Sequence, residues 1–410
     1  MGRDTGVDVR TIDAADIYSW VRCMGMGFLF GVADGYAEYF LGDVDLDRTW
    51  GAFDGDTVVG TLRSFPTRFT APGPTSVPAN ALTNVTVAPT HRRRGLLSEM
   101  ITGELRRAAD AQEPVGILIA SEYPIYGRFG YGAAIEGGSY TVDVSATRFR
   151  HPVDGRVEMV ELADLRKDAP AVYEVVRAAQ PGAIDRDSRW WDRALHQVAV
   201  PGAAPPEGYQ ALYRAATGEA RGYVRYRARQ KWDAMRKHGD LTVEELVAAD
   251  AEAYARLWQH CCEVDLVTSV KAGDRPVDEV LPWLLHDGRA VQQTGRYDFV
   301  WVRVLDVAGA LVARRYEADG QMVVTITDPL GITAGTFALE VQGGAATCTP
   351  STERAQLTMP VDALGSLYAG GVSARLLHRA GRIDEHAPGA VARAHALFRS
   401  ATTPWCSTWF

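Results

Sequence analysis

Four consecutive residues, Arg92-Arg93-Arg94-Gly95, combine dense positive charge with a residue that lets backbone approach a ligand. Before them Thr83, Val85 and Val87 alternate with Asn84, Thr86 and Ala88, the period of a half-buried strand, and Pro89 ends the pairing. After them Leu96, Leu97, Met100, Ile101, Leu105, Ala108 and Ala109 fall on one helical face. The basic run therefore stands at a helix N-terminus, where free N–H groups and the positive end of the dipole favour a phosphate. Three arginines oppose that dipole unless an anion lies between them, so the pattern points to an anionic ligand rather than a solvated helix start. Arg-x-x-Gly alone is unspecific: Arg236-Lys237-His238-Gly239 also satisfies it, but precedes a strand-like run.

Tyr123, Tyr126, Phe129 and Tyr131 are mostly accounted for by packing in a short helix and turn. One phenol beside a phosphate-binding element is also placed to act as a general acid. No Gly-x-Ser-x-Gly elbow, His-Glu-x-x-His pair or Walker-type lysine loop occurs. Gly130-Tyr131-Gly132 lacks the third glycine of a dinucleotide fingerprint, because Ile135 stands there. His260-Cys261-Cys262 suits buried packing better than a metal, since adjacent helical residues face different ways, and no metal is expected.

The 410 residues leave room for two or three domains. A net charge of −8 gives no bias toward nucleic acid, so the arginines are a local spot suited to a small anionic ligand. Five irregularly spaced cysteines argue against a disulfide framework and for a reducing cytoplasm. The start, Met1 to Gly6, does not read as a signal peptide, and no apolar run has membrane-spanning length.

Several elements must position these residues. Val7–Ile12 reads as a strand, 14–28 as a helix behind Asp13, and Trp50–Gly60 as a hairpin turning at Asp54-Gly55. Phe65–Asn80, rich in Pro, Gly and Thr, reads as a long connection. Val115–Ala120 and Tyr140–Val144 close a first mixed α/β unit. Residues 155–290 repeat the order of strand, helices, strands, helix and strand, which suggests a duplication. From Phe299 a strand, a helix over 308–315, an antiparallel meander (322–327, 335–341, 355–359) and three helices follow. The aromatic end, Trp405-Cys406-Ser407-Thr408-Trp409-Phe410, reads as docked rather than frayed.

The stretch Val85–Ser98 resembles the cofactor strand and pyrophosphate turn of GNAT-type acetyl-CoA-dependent N-acetyltransferases, departing at Leu97, where the family has a small residue. Together with Ala120-Ser121-Glu122, Ile125–Gly132, Arg314-Arg315-Tyr316, Cys348–Ser351 and Leu364–Tyr368, it resembles the enhanced intracellular survival (Eis) family along essentially the whole chain. The resemblance implies an α/β (α+β) protein with two tandem GNAT-like units and a sterol-carrier-like C-terminal domain. Placed on this sequence, these would be an active domain over 1–150, a second unit without cofactor site over 151–295, and a C-terminal domain over 296–410. It implies a homohexamer, acetyl-CoA as cosubstrate, a small-molecule amine as acceptor, and no nucleic-acid or membrane partner. Val85, Thr86 and Val87 would pair with the pantetheine arm, and Arg92, Arg93, Arg94, Gly95, Leu96, Leu97 and Ser98 would hold the diphosphate, with Ser121 and Glu122 beside the cofactor. Tyr126 matches the family's general acid and Phe410, through its α-carboxylate, the general base. Aminoglycoside-acetylating relatives, which confer antibiotic resistance, line the pocket with carboxylates from the first helix and the penultimate residue. Here Met26, Phe28, Phe30 and Trp409 stand in those regions, so a carboxylate-poor pocket and a more apolar amine are expected. Protein lysine acetylation and non-catalytic lipid binding by the C-terminal domain are the alternatives.

Overall fold

The computed structural model describes residues 6–151, 155–233 and 236–410; Met1–Thr5 of the polar start lie outside them, as do the side chains of Lys231, Asp233, Arg236 and Lys237. Its centre is one sheet of twelve strands: β1 (Asp8–Thr11), β2 (Thr49–Asp54), β3 (Thr57–Ala71), β4 (Thr75–Val87), β5 (Val115–Ile119), β6 (Gly132–Asp143), β7 (Arg156–Val160), β8 (Tyr209–Arg214), β9 (Ala220–Asp233), β10 (Arg236–Ala248), β11 (Val267–Arg275) and β12 (Val291–Val304). Their spatial order is β1-β2-β3-β4-β5-β12-β6-β11-β10-β9-β8-β7. Two halves of similar order thus meet in the middle and exchange their closing strands. β12 follows the second half yet pairs with β5 through Val300–Val304. β6 follows the first half yet pairs with β11 as well as with β12.

The domain boundary expected between residues 295 and 296 falls inside β12. Nothing in the apolar run Phe299–Leu305 states which sheet receives it, so the exchange is invisible to a reading in chain order. The stretch 65–80 is likewise not a connection. It is a hairpin arm of β3 and β4 in which Phe69 faces Val77, both buried, while Pro66 and Pro78 sit at exposed positions. The alternation of burial survives because the prolines fall on its solvent side.

Helices cover the sheet: α1 (Ile17–Gly27), α2 (Tyr36–Leu41), α3 (Leu96–Asp110), α4 (Tyr123–Tyr126), α5 (Leu162–Ala179), α6 (Ser188–Ala194), α7 (Ala251–Cys262) and α8 (Leu281–Leu284). On α3 the buried face is Leu96, Met100, Ile101, Leu105 and Ala108, as its period demands, plus Glu104. Glu104 is 1 % exposed and accepts hydrogen bonds from Ser64 Oγ (2.5 Å), Asn80 Nδ2 (2.6 Å), Trp50 Nε1 (2.9 Å) and Arg107 Nη2 (2.8 Å). It pins α3 to β2, β3 and β4.

The C-terminal unit holds α9 (Val307–Ala313), β13 (Gly320–Thr327), β14 (Gly335–Gln342), β15 (Ala345–Pro350), β16 (Leu357–Pro360), α10 (Val361–Tyr368), α11 (Ala374–Arg379), β17 (Asp384–Glu385) and α12 (Ala390–Phe398), with sheet order β15-β14-β13-β16-β17. The meander is therefore β13-β14-β15, and the expected strand 355–359 is β16, parallel to β13 rather than antiparallel. α10 lies directly on the central sheet. A Cβ on Gly132 would stand 1.9 Å from the Asp362 carbonyl oxygen, and one on Gly365 would stand 2.1 Å from that of Val302. Fully buried Arg314 donates to the carbonyls of Tyr368 and Phe398, the last residues of α10 and α12. Two negative helix ends there take the place of a carboxylate. All five cysteines are free and buried. No helix among the described residues is long and apolar enough to cross a membrane.

Candidate active site

β4 and β5 run parallel only over Ala79–Leu82 and Val115–Leu118. Beyond Leu82 they part, and residues 83–87 become half-buried after a fully buried run. The cause is a bulge. Thr61 faces Thr86 while Arg63 faces Thr83, so two residues of β4 oppose one of β3. Asn84 takes the left-handed conformation (φ 54°) that this requires, and its carbonyl accepts from Thr61 Oγ1 at 2.7 Å. The bulge turns the β5-facing edge of Val85–Val87 away from any strand partner and opens a wedge between the strands.

Past Pro89–His91 the chain turns through two left-handed residues, Arg93 (φ 64°) and Gly95 (φ 93°), into α3. His91 ties this turn to the β2–β3 hairpin through Asp54 at 3.0 Å. The residue before α3 is Gly95, with no side chain to cap the helix, and a Cβ there would meet nothing within 4 Å. The N–H groups of Leu96, Leu97 and Ser98 therefore head a fifteen-residue helix beside the wedge with no side-chain acceptor at the cap. Arg92 and Arg93 are exposed around them. A diphosphate suits this end, and an extended thioester arm suits the unpaired edge of Val85–Val87.

Tyr126 closes α4 and is 4 % exposed, packed in one apolar cluster with Leu118, Val85, Val87 and Leu97. Burial raises its phenol above the ordinary tyrosine value, partly offset by a hydrogen bond with Ser121. Ser121 and Glu122 lie exposed just before α4. The phenol thus holds its proton at neutral pH and shares an apolar cluster with residues of the wedge.

Phe410 comes to this strand from the far end of the chain. Its ring meets Phe65 edge-on at 5.9 Å, and with Thr83, Asn84 and Trp409 it lines a cleft of about 660 Å³. The tail is held mostly by the second half. Trp405 Nε1 donates to the Asp274 carbonyl (2.7 Å) and Trp409 Nε1 to its carboxylate (2.8 Å). Thr408 Oγ1 accepts from Arg186 Nε at 2.9 Å. Arg186 is itself buried against Glu245 (2.7 Å) and sandwiched by Tyr173 and Trp190.

The structure does not gather the expected acceptor residues. Trp409 lies at Phe410's cleft, but Met26 and Phe30 line a separate one of about 670 Å³ beside α1 and α2. Phe28 is half-exposed; it adjoins Gly27, whose Cβ would stand 2.0 Å from Thr86 Oγ1. Nor is the Phe410 cleft poor in carboxylates. Asp43, Asp45, Asp185 and Asp187 line it, with Arg63, Arg186, Arg189 and Arg193 and the rings of Tyr36, Tyr39, Phe65 and Trp190. The carboxylates come from beyond α2 and from the second half, stretches that a comparison confined to the first helix and the penultimate residue never touches. Among the described residues no group of three His, Cys, Asp or Glu is placed to hold a metal.

The second half repeats the geometry and closes it. β10 carries a bulge at Glu244 and pairs in parallel with β11 only over Gly239–Val243. Yet the following helix, α7, begins at Asp250, whose carboxylate caps Ala253 N–H at 2.8 Å, so its end is already occupied by an anion. Next to it lies a buried network in which Arg275 pairs with Glu279 (3.0 Å) and with Tyr254 Oη (2.8 Å), against the Trp405 ring.

Comparisons with known proteins agree with this division. Residues 8–134 and 182–304 each match a family described as "Acetyltransferase (GNAT) domain", and residues 307–407 match "Sterol carrier protein domain". An uncharacterized N-acetyltransferase of Streptomyces avermitilis is 40 % identical over the full length of both chains. N-acetyltransferase Eis of Mycobacterium tuberculosis is 35 % identical over 85 % of each chain. The crystal structure of Eis1 from Mycobacterium abscessus superposes with a TM-score of 0.86 at 33 % identity, over 98 % of this chain and 100 % of that one. Two GNAT units followed by a sterol-carrier unit are matched along the chain, and with such relatives covering most or all of its length the chain belongs to the Eis family of GNAT-type N-acetyltransferases.

Proposed function

We propose that this protein transfers the acetyl group of acetyl-CoA to a primary amine of a small molecule by direct attack. The observation that carries the reading is the wedge at Val85–Val87 beside the uncapped N-terminus of α3. Val85, Thr86 and Val87 would align the pantetheine arm. Arg92, Arg93, Arg94 and the N–H groups of Gly95, Leu96, Leu97 and Ser98 would hold the diphosphate, with Ser121 and Glu122 flanking. Bound there, acetyl-CoA supplies an activated acetyl group. The Phe410 carboxylate takes the proton from the acceptor ammonium, directly or through water, and so exposes its lone pair. The strand N–H groups near Val85–Val87 stabilise charge developing on the acetyl oxygen. Tyr126 holds a proton at Oη and delivers it to the departing sulfur. No side-chain nucleophile is required.

The second half, with its helix end capped by Asp250, serves as scaffold for the tail rather than as a second cofactor site. The C-terminal unit, its interior filled by Met322, Val324, Leu339, Leu357, Leu364 and Phe398, delivers Phe410 and needs no lipid. The resemblance extends to assembly as a homohexamer, and five unpaired thiols suit the cytoplasm. The test is thiol release from acetyl-CoA across aminoglycosides, arylalkylamines and lysine peptides, with the chain intact, lacking Phe410, or extended by one glycine. Activity is expected on small amines and a loss of about 10²-fold in either altered chain. Unaltered turnover after either change refutes the carboxylate's role, and turnover confined to peptides refutes the small-molecule acceptor.

A further inference from the structure

The Phe410 cleft contains a cation that its own neighbours leave under-served. Its eight charged side chains divide into two sets. Arg186 is consumed by Glu245, Thr408 and two aromatic rings. Asp185 accepts from Thr67 Oγ1 (2.6 Å) and the Arg68 N–H (2.8 Å), Asp187 caps α6 at Trp190 N–H (2.6 Å), and Asp45 caps a turn at Asp47 N–H (3.1 Å). These four are fixed by the fold. The remaining carboxylate, Asp43, meets three arginines. Arg193 and Arg189 Nη1 (3.3 Å) take its two oxygens, and Arg189 also takes the Gly42 carbonyl at 2.8 Å. Arg63 is left with a long contact, 3.4 Å, to the Asp43 backbone carbonyl, and its Nε is shut off from water without a partner. Its guanidinium lies 5.4 Å and 5.7 Å from the centres of the Phe40 and Phe65 rings. Burial, the nearby Asp43 and Asp187 notwithstanding, pushes its pKa down with the help of Arg193, as expected of a cation short of counter-charge.

Phe65 is also the ring against which Phe410 rests. One aromatic wall therefore connects the proposed proton acceptor to Arg63. We infer that the acceptor is a zwitterion: its amine sits toward the Phe410 carboxylate and the β4 bulge, its flat or extended body lies along Phe65 and the neighbouring rings, and a carboxylate at its other end pairs with Arg63. A planar carboxylate is the anion whose geometry a guanidinium fork matches best. The inference rests on the amine-acetylation reading and narrows its substrate class to amino carboxylates whose two charges are separated by a spacer.

The test compares 4-(aminomethyl)benzoate with 4-(aminomethyl)benzamide, which has the same shape without the charge, and with 4-(aminomethyl)benzylamine, which reverses it. Thiol release gives kcat/KM for each. The intact chain is expected to favour the carboxylate over the amide by about tenfold or more, mainly through KM. In Arg63→Gln that ratio should collapse to within about twofold, and in Arg63→Lys, which keeps the charge and loses the fork, it should fall part of the way. If the Gln variant does not fold, the Lys ratio alone decides. Turnover of the amide or the diamine equal to or above that of the carboxylate overturns the inference and leaves amine acetylation standing. So does a preference that persists unchanged in Arg63→Lys and Arg63→Gln. Failure of every amine in this set and in the wider panel removes the amine-acetylation reading itself, and the inference with it.

Discussion

Glu104 is the residue whose loss the structure prices most clearly. Four donors converge on one carboxylate, from Ser64, Asn80, Trp50 and Arg107. Arg107 keeps a second acceptor, Glu113 at 3.0 Å, so truncation strands the other three. Each buried donor left without a partner costs about 1–3 kcal/mol, and partial relaxation brings the sum for Glu104→Leu to about 4 kcal/mol. For the roughly 300 residues that share the central sheet this is a drop of about 6 °C in the unfolding midpoint. Glu104→Gln should be milder, about 1–2 kcal/mol, for a specific reason. Asn80 donates through Nδ2 while its Oδ1 has no partner, so a flipped Asn80 can accept from the new amide. The pH dependence has a definite sign. Burial opposes ionisation of Glu104, but hydrogen bonds from Arg107, Ser64, Asn80 and Trp50 outweigh it and hold the carboxyl below its usual range. A lowered folded-state value means the stabilisation is complete above the unfolded carboxyl value, about 4.3, and is lost as pH falls through the folded one. Thermal unfolding of the intact, Gln and Leu chains from neutral pH to well below about pH 4 is the assay. A Leu variant within about 1 kcal/mol of the intact chain, or a Gln variant no better than Leu, refutes the convergent-donor account.

The remaining predictions concern the site and its supports. Tyr126→Phe should lower kcat by about 10²-fold with the KM for acetyl-CoA unchanged, and because burial raises the phenol, the intact enzyme's rate should not fall on its account below pH 10; an unaltered kcat removes the acid. Gly95→Ala meets no atom, so its stability cost is confined to left-handed strain of about 1–2 kcal/mol, while the added methyl at the helix end raises the KM for acetyl-CoA about tenfold; calorimetry and kinetics separate the two, and an unchanged KM refutes the diphosphate grip. Gly132→Ala would drive a methyl into the Asp362 carbonyl and is expected to cost over 3 kcal/mol and loosen the C-terminal unit; unchanged protection of the tail from proteolysis would show that α10 docks less closely than described.

The residues proposed to hold the cofactor, Ser121 and Glu122 apart, are contiguous, and that is why they are legible in the sequence. Strand, turn and helix lie within Thr83–Asp110, and their period and charge announce them. The Phe410 cleft, proposed to take the acceptor, is assembled from separated stretches that include Asp43 after α2, Arg63 on β3, Arg189 and Arg193 on α6, and the tail. No local pattern marks such a set, and the resemblance alone pointed to Met26 and Phe30, which face another cleft. Asn84 was the one overlooked signal within reach, since asparagine in an otherwise β-branched run tolerates the left-handed bulge better than its neighbours. Nothing local marks Glu104 as buried, because burial of a carboxylate depends on partners that come from three strands, Trp50, Ser64 and Asn80.

The exchange of β6 and β12 fixes the order in which this protein can come into being. At about 5–20 residues per second, the ribosome releases β5 and β6 many seconds before the strand that belongs between them. During that interval both present bare edges, which invite pairing with the wrong chain. A fragment ending near residue 150 inherits this defect permanently. The first half is therefore not a portable module. The two halves are joined through one sheet, so neither can be removed without leaving strand edges bare.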